Sequence, residues 1–353
     1  MHIDPLLRAL AEPTRLRIMR LLAHMELAVG ELALVLDQSQ PRVSRHIRIL
    51  CDAGLAERRR EGSWVFLRSA IHESREHNRD TGSLGPATAR LLAAAEVEDS
   101  GFSTRCAEDR RQLAAIRSAR EASAEAYFAR HASEWDTLRA LHGADEPVEQ
   151  ALCAALTPAG SAKNSVKNEE GALGALLDVG TGTGRIAQLL APRARRVTGL
   201  DKSPDMLRLA RARLQELPSD KLELVQGDFT DLPFAAASFD TVTFHQVLHF
   251  AQQPATVLGE AARVLRADGR IAVVDLAAHE REDLRETHAH ARLGFTDDQM
   301  RDLLETAGFA PELPVALPGD PLTVKIWTAT RLPDAPAPEH SADADDNRKV
   351  IPR

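Results

Sequence analysis

One short run, ALLDVGTGTGRIAQLLA over residues 175–191, constrains this chain more than any other. Leu176, Leu177 and Val179 read as a buried strand that runs into Gly180, Gly182 and Gly184, and helical spacing begins directly after. Glycines let the backbone turn sharply and let a ligand approach with no Cβ in its way. The helix N-terminus behind them offers unpaired N–H groups and a partial positive charge. A second strand, RVTGLD, ends about 20 residues on in Asp201, a carboxylate able to accept both hydroxyl hydrogens of an adenosine ribose. The competing reading is a tight turn without a ligand, for which three glycines in a strand–helix turn are a costly choice.

Later segments extend the pattern. A third strand, LELVQGDF, brings Asp228 and Phe229 to its carboxyl end, a carboxylate and a ring where an adenine amino group and face would lie. A fourth, FDTVTFHQVLHF, delivers His245 and Gln246, and VLRADGRIAVVDL gives a turn and a fifth strand ending at Asp275. Strands and helices alternate from Ala172 to about Thr330, which predicts an α/β sheet with helices on both faces and ligands at the carboxyl ends of the strands. The turn and Asp201 alone do not separate a nicotinamide cofactor from an adenosyl sulfonium. The dinucleotide spacing G-x-G-x-x-G would place glycine at 185, where this chain has Arg185.

In the order D-V-G-T-G-T-G, L-D-K-S-P-D-M-L, Q-G-D-F, V-L-R-A-D-G-R, residues 172–276 resemble the Rossmann-type (class I) S-adenosylmethionine-dependent methyltransferases. The resemblance implies S-adenosylmethionine as cofactor, with Gly180, Gly182 and Gly184 around its methionine moiety and Asp178 nearby. It also implies Asp201 on the ribose hydroxyls, Met206 beside the adenosine, Asp228 with Phe229 on the adenine, and His245 at the cofactor-facing strand.

The first 70 residues differ in charge from the rest. They hold 11 Arg, no Lys and 8 acidic residues, a net +3, on a chain whose total is −8. A mildly basic unit on an acidic body points to one domain that meets phosphate and another that does not. Short helices come first, followed by two β-rich runs, Leu55–Arg60 and Trp64–Arg68, that predict a hairpin around 61–63. Between them Ser39 is a candidate N-cap, with Pro41 in the first turn and a stop near Gly54. Helical periodicity over 40–51 puts Val43, Ile47 and Leu50 on one face, and Arg42, Ser44, Arg45 and Arg48 away from it. With Gln40 at its start, this is the division a DNA recognition helix needs. Arg58, Arg59 and Arg60 lie at the hairpin, where a wing would touch the flanking backbone. A solvated charged face is the alternative.

Residues 5–70 resemble the ArsR/SmtB family of winged-helix transcriptional repressors, through LLRALAEPTRLRIMRLL and ELALVLDQSQPRVSRHIRILCDAGLAERRREGSWVFLR. The resemblance implies a homodimer that binds a double-stranded DNA operator. Where that family often carries a Cys-x-Cys metal pair this chain reads Ala33-Leu34-Val35, so no metal ligand is expected there. The fused cofactor domain is the natural replacement effector, responding to S-adenosylmethionine or S-adenosylhomocysteine. The second reading is a small-molecule methyltransferase whose winged helix serves only dimerisation.

Methyl transfer from a sulfonium is a direct displacement and needs a base only when the acceptor carries a proton. His245 and His249 are the candidate catalytic residues, within a group that includes His279, Glu280, His288 and His290; the acceptor itself is not legible. No H-E-x-x-H spacing is present. Three dispersed cysteines (Cys51, Cys106 and Cys153) argue against an arsenite acceptor, a disulfide scaffold and a zinc module, and fit a reducing cytoplasm. No apolar run approaches the roughly 18–20 residues that cross a bilayer, so no membrane partner is expected. The expected organisation is a winged helix-turn-helix domain over 1–82, a helical linker with a mobile loop over 83–171, a methyltransferase domain over 172–330, and a disordered tail over 331–353. An apolar stripe through Leu113, Ile116, Ala124, Phe128, Trp135 and Leu138 marks the linker helix.

Overall fold

The computed structural model describes residues 2–23, 25–61, 64–71, 84–132, 145–157, 171–319 and 321–333. They fall into two units, one drawn from Met1–His131 and Ala277–Gly294, the other from Ala132–Leu276 and Phe295–Arg353.

The first unit opens with α1 (Ile3–Leu10) and α2 (Pro13–Leu22), the latter with proline in its first turn and Glu12 capping it, its carboxylate accepting the Arg15 N–H at 2.9 Å. A two-residue strand β1 (Leu27–Ala28) leads into α3 (Val29–Val35), a turn, and α4 (Gln40–Asp52). Gly54, at φ +72°, ends α4 as its spacing predicts. β2 (Ala56–Glu61) and β3 (Trp64–Ser69) pair antiparallel, and the sheet order is β1-β3-β2. This is a winged helix-turn-helix. The expected hairpin turn at 62–63 lies outside the described residues.

Two further helices, α5 (Leu84–Glu98) and α6 (Ser100–His131), also belong to this unit. The sequence reads them as part of a linker over 83–171; instead Leu92 and Leu113 enter the core that Leu6, Ile18, Leu32, Val43 and Leu67 form. Ion pairs fasten them: Arg17 Nε donates to Asp109 at 2.8 Å, and Glu96 accepts from both Arg20 (2.5 Å) and Arg110 (2.6 Å). Trp135 and Leu138 of the expected stripe, most of the expected loop, and most of the expected tail lie outside the described residues.

The second unit begins its described part with α7 (Asp145–Ala155) and then β4 (Ala175–Val179). The chain continues through α8 (Arg185–Leu190), β5 (Arg196–Asp201), α9 (Pro204–Arg213), β6 (Leu222–Gln226), β7 (Phe239–His245), α10 (Pro254–Val264) and β8 (Leu265–Leu276). After Gly294 come α11 (Asp297–Thr306), β9 (Phe309–Pro311), β10 (Val315–Leu317) and β11 (Val324–Arg331). The sheet order is β10-β11-β8-β7-β4-β5-β6, with β9 on β11. β6, β5, β4, β7 and β8 are mutually parallel, and β11 runs antiparallel to β8. Consecutive residues buried on opposite faces of one strand, such as Leu176 and Leu177 on β4 or Val273 and Val274 on β8, are what a sheet covered by helices requires. The order reverses between β4 and β7, and Gly180 stands at the carboxyl end of β4 beside this switch point, where doubly wound sheets bind their ligands.

Candidate cofactor site and nucleic-acid interface

At the end of β4 the backbone of Gly180, Gly182 and Gly184 has φ of +66°, +55° and +82°. Gly180 is fixed twice, because a Cβ there would stand 2.5 Å from Val247 Cγ2 on the turn that follows β7. At Gly184, the N-cap of α8, a Cβ would come within 2.9 Å of Leu214 Cδ1 and 3.2 Å of Ala210. The turn thus needs bare backbone to bring β4, the β7 turn and α9 together.

The structure joins the turn to the acidic residue of the next strand. Asp201 is half-buried at the end of β5, and its carboxylate accepts the Gly182 N–H at 2.8 Å and the Ser203 N–H at 2.9 Å. Burial pushes its pKa up against those hydrogen bonds. Asp178 is sealed inside the sheet and accepts hydroxyl hydrogens from Thr181 (2.7 Å) and Thr243 (2.9 Å). Its pKa is pushed up to about 6, foremost by burial, with the neighbouring Asp201 charge adding to it. Asp228, at the end of the next strand, behaves oppositely. Burial alone would raise it, but the Thr230 hydrogen bonds (2.8 and 2.6 Å) and the Lys202 ammonium at 3.2 Å hold it below the usual carboxylate value. Phe229 is half-buried against the core, and Met206 is buried in the first turn of α9, whose N-cap Ser203 accepts its N–H.

His245 lies at the carboxyl end of β7 and is nearly buried, followed by Gln246 at φ +54°. His249 is sealed from solvent. Its Nδ1 lies 2.7 Å from Asp275 Oδ1, and its N–H donates to Asp275 Oδ2 at 3.1 Å. Asp275 Oδ1 also accepts the Leu276 N–H at 2.7 Å. His249 therefore ties the turn after β7 to the end of β8. The sequence reading missed this pair as well as Thr243 and Lys202. Thr243 stands opposite Asp178 in the β4–β7 register, which only strand pairing reveals.

The glycine turn and the carboxylates of Asp201 and Asp228, both partly accessible, fit an adenosyl sulfonium by offering acceptors for its hydroxyl and amine hydrogens, while Asp178 lies beneath with both oxygens engaged by threonine hydroxyls.

In the first unit α4 divides as its periodicity predicts. Val43, Ile47 and Leu50 are at most 1% exposed, while Gln40, Arg42, Ser44, Arg45 and Arg48 are exposed. On β2, Arg58 and Arg60 are exposed, whereas Arg59, on the opposite face of the strand, is half-buried. Arg59 donates from Nε and Nη2 to Glu26 at 3.0 and 2.7 Å, and its guanidinium lies 5.6 Å from the Phe66 ring centroid. The wing arginines are thus two of one kind and one of another. Among the described residues no group of three or more His, Cys, Asp or Glu is placed to hold a metal ion, and no helix is long and apolar enough to cross a membrane.

Residues 12–58 match the family model described as bacterial regulatory protein, arsR family, and residues 177–273 match the model described as methyltransferase domain. An arsR-type DNA-binding domain and a methyltransferase domain are joined in this chain. The arsenical resistance operon repressor of Escherichia coli is 46% identical over 68 residues, covering 19% of this chain and 58% of that protein. A malonyl-[acyl-carrier protein] O-methyltransferase of Laribacter hongkongensis is 36% identical over 149 residues, covering 38% of this chain and 50% of that protein. The chain spans half or less of the length of the first curated relatives it matches. Among solved structures, a SAM dependent methyltransferase from Aquifex aeolicus is similar at 18% identity and a TM-score of 0.43, covering 57% of this chain and 98% of that one.

Proposed function

We propose that this protein is a DNA-binding transcriptional regulator whose fused domain binds S-adenosylmethionine or S-adenosylhomocysteine and reports its occupancy to the winged helix. The observation that carries the reading is the two-sided α4: an apolar face at most 1% exposed, opposite a face of Gln40, Arg42, Ser44, Arg45 and Arg48. Such a helix is held by its domain and free to present bidentate donors to base edges in the major groove. The effector half rests on the Gly182–Asp201 contact and the converging carboxylates.

When bound, S-adenosylmethionine supplies an electrophilic methyl group. The chain's own residues would hold it: the 180–184 turn beside the methionine moiety, Asp201 as acceptor for the ribose hydroxyls, and Asp228 with Phe229 at the adenine. Asp178 would contribute negative charge beneath the turn. His249, through Asp275, keeps the turn after β7 in place.

A second copy of the chain is the partner this reading expects. Ile3 and Leu7 on α1 are more than half exposed, beside the buried Leu6 and Leu10. Sedimentation should return a dimer.

The test uses a duplex that the wild-type protein selects from a randomised pool. Replacing Arg42 and Arg45 by Ala should weaken sequence-specific binding by about 30-fold or more, since each bidentate base contact discriminates by about 1–3 kcal/mol. Calorimetric affinity for either nucleoside should not change. Selection of no sequence by the wild type, or full specific binding by the double variant, would refute the regulator reading.

A further inference from the structure

Residues Ala277–Gly294 interrupt the methyltransferase domain in sequence, yet they belong to the winged-helix unit. They leave directly after Leu276 and return at Phe295, whose N–H donates to Leu276 O at 3.0 Å. A second rung, the His279 N–H to Leu293 O at 3.0 Å, narrows the neck of this excursion. Its starting point is the carboxyl end of β8, the side of the sheet where ligands bind.

Within the winged-helix unit the excursion has two anchors. The His288 ring lies edge-on to Tyr127 of α6, with centroids 6.3 Å apart. Arg292, 3% exposed, donates from Nη1 to Glu26 at 3.1 Å, and its guanidinium stands 4.5 Å from the Phe66 centroid. Glu26 and Phe66 are the same partners that hold Arg59 of the wing. One carboxylate and one ring are therefore shared between an arginine of the wing and an arginine of the excursion. A buried guanidinium has a strongly preferred position, because separating it from its counter-charge leaves an uncompensated charge. Movement of Arg292 must therefore be answered by Glu26, and hence by Arg59.

The strand end from which the excursion departs is fixed within the methyltransferase unit. Asp275 accepts from both His249 and Leu276, so the turn after β7 and the base of the neck share one carboxylate. That turn also carries Val247, packed over Gly180.

We propose that the 277–294 excursion is the element that couples the cofactor site to the wing, and that Arg292 makes the connection. The proposal rests on the reading above, in which one unit binds an adenosyl nucleoside and the other binds DNA. A ligand that shifts the turn after β7 moves the base of the neck through Asp275. Arg292 then redistributes the Glu26 and Phe66 contacts of Arg59, which changes how the wing meets the phosphate backbone.

The test measures anisotropy of the selected duplex, with and without S-adenosylmethionine or S-adenosylhomocysteine, and nucleoside affinity by calorimetry. The variants are Arg292→Ala and Phe66→Leu, each checked for a wild-type thermal transition. Wild-type protein should show a nucleoside-dependent change in DNA affinity within the usual coupling range, about fivefold or more. In Arg292→Ala that ratio should fall to within about twofold of one. Its separate affinities for nucleoside and for DNA should stay within about threefold of wild type, because Glu26 keeps Arg59 as a partner. Phe66→Leu, which retains apolar volume but loses the shared ring, should uncouple likewise. Retention of the wild-type ratio by both variants overturns the proposal. So does wild-type protein that binds nucleoside and duplex independently, a result that leaves the two-ligand reading standing. Absence of nucleoside binding overturns the cofactor reading and this proposal together.

Discussion

Replacing Asp178 by Asn should make the methyltransferase unit more stable at alkaline pH while weakening its ligand site. The carboxyl is sealed in the sheet, and its pKa rises from 3.8 to about 6, chiefly through burial. A group whose folded value is raised contributes stability in its protonated form. That contribution is whole below the unfolded pKa and is lost as pH rises through the folded one. A rise of about two units corresponds to about 3 kcal/mol, the cost of ionising Asp178 in the folded protein at pH 8. Asn has nearly the same shape and carries no charge. Its amide oxygen can accept from one of the two threonine hydroxyls that now donate to Asp178, and its NH2 can donate to the other after that hydroxyl rotates. Scanning calorimetry of wild type and variant should therefore show melting temperatures that agree near pH 4 and separate as pH rises. The gap should reach about 6–12 °C by pH 8, taking about 2–4 °C per kcal/mol for a unit of this size. Nucleoside affinity should fall by about tenfold, the worth of one charge-assisted interaction. A gap that is absent at pH 8, or equally large at pH 4 and pH 8, would refute the argument that burial of this carboxylate is a strain the ligand site requires.

Gly180→Ala should destabilise the same unit by about 1–3 kcal/mol, because the new Cβ meets the short, branched Val247 at a position with positive φ; Val247→Ala should restore part of the loss in denaturant melts, and no rescue would mean that the backbone alone is responsible. In the winged-helix unit, Asp109→Ala should cost about 1.5–3 kcal/mol, since it leaves the partly buried Arg17 without its bidentate partner. A compensating Arg17→Met on top of it should return stability toward wild type, and a double variant as unstable as the single one would count against the pair.

The parts of the molecule that local sequence specifies were legible. The 3.6-residue period of Val43, Ile47 and Leu50 fixes which face of α4 is buried, because an amphipathic helix has only one way to satisfy its core. The strand–glycine–helix run likewise dictates its own turn, and Asp201 follows from the period of the next β-α unit. Arg59 escaped this logic. Three consecutive arginines look alike in composition, but alternation along β2 turns the middle one toward Glu26 and Phe66, and only the pairing of β2 with β3 reveals that they are there. Thr243 is a similar case, since its contact with Asp178 depends on strand register.

The excursion shows the limit more sharply. Nothing in the periodicity of 277–294 separates it from the methyltransferase domain that surrounds it, because membership of a unit is decided by contacts rather than by neighbours in sequence. Arg292 meets Glu26 across 266 positions, and closing so long a chain depends on the folding of everything between them. An arginine in a polar stretch would ordinarily be assigned to solvent. Its burial to 3% exposure is instead supported by one carboxylate and one aromatic ring, both contributed by the winged-helix unit. Separating the guanidinium from that carboxylate would leave a buried charge uncompensated, which is why the excursion packs with the winged-helix unit and not with the strands on either side of it in sequence.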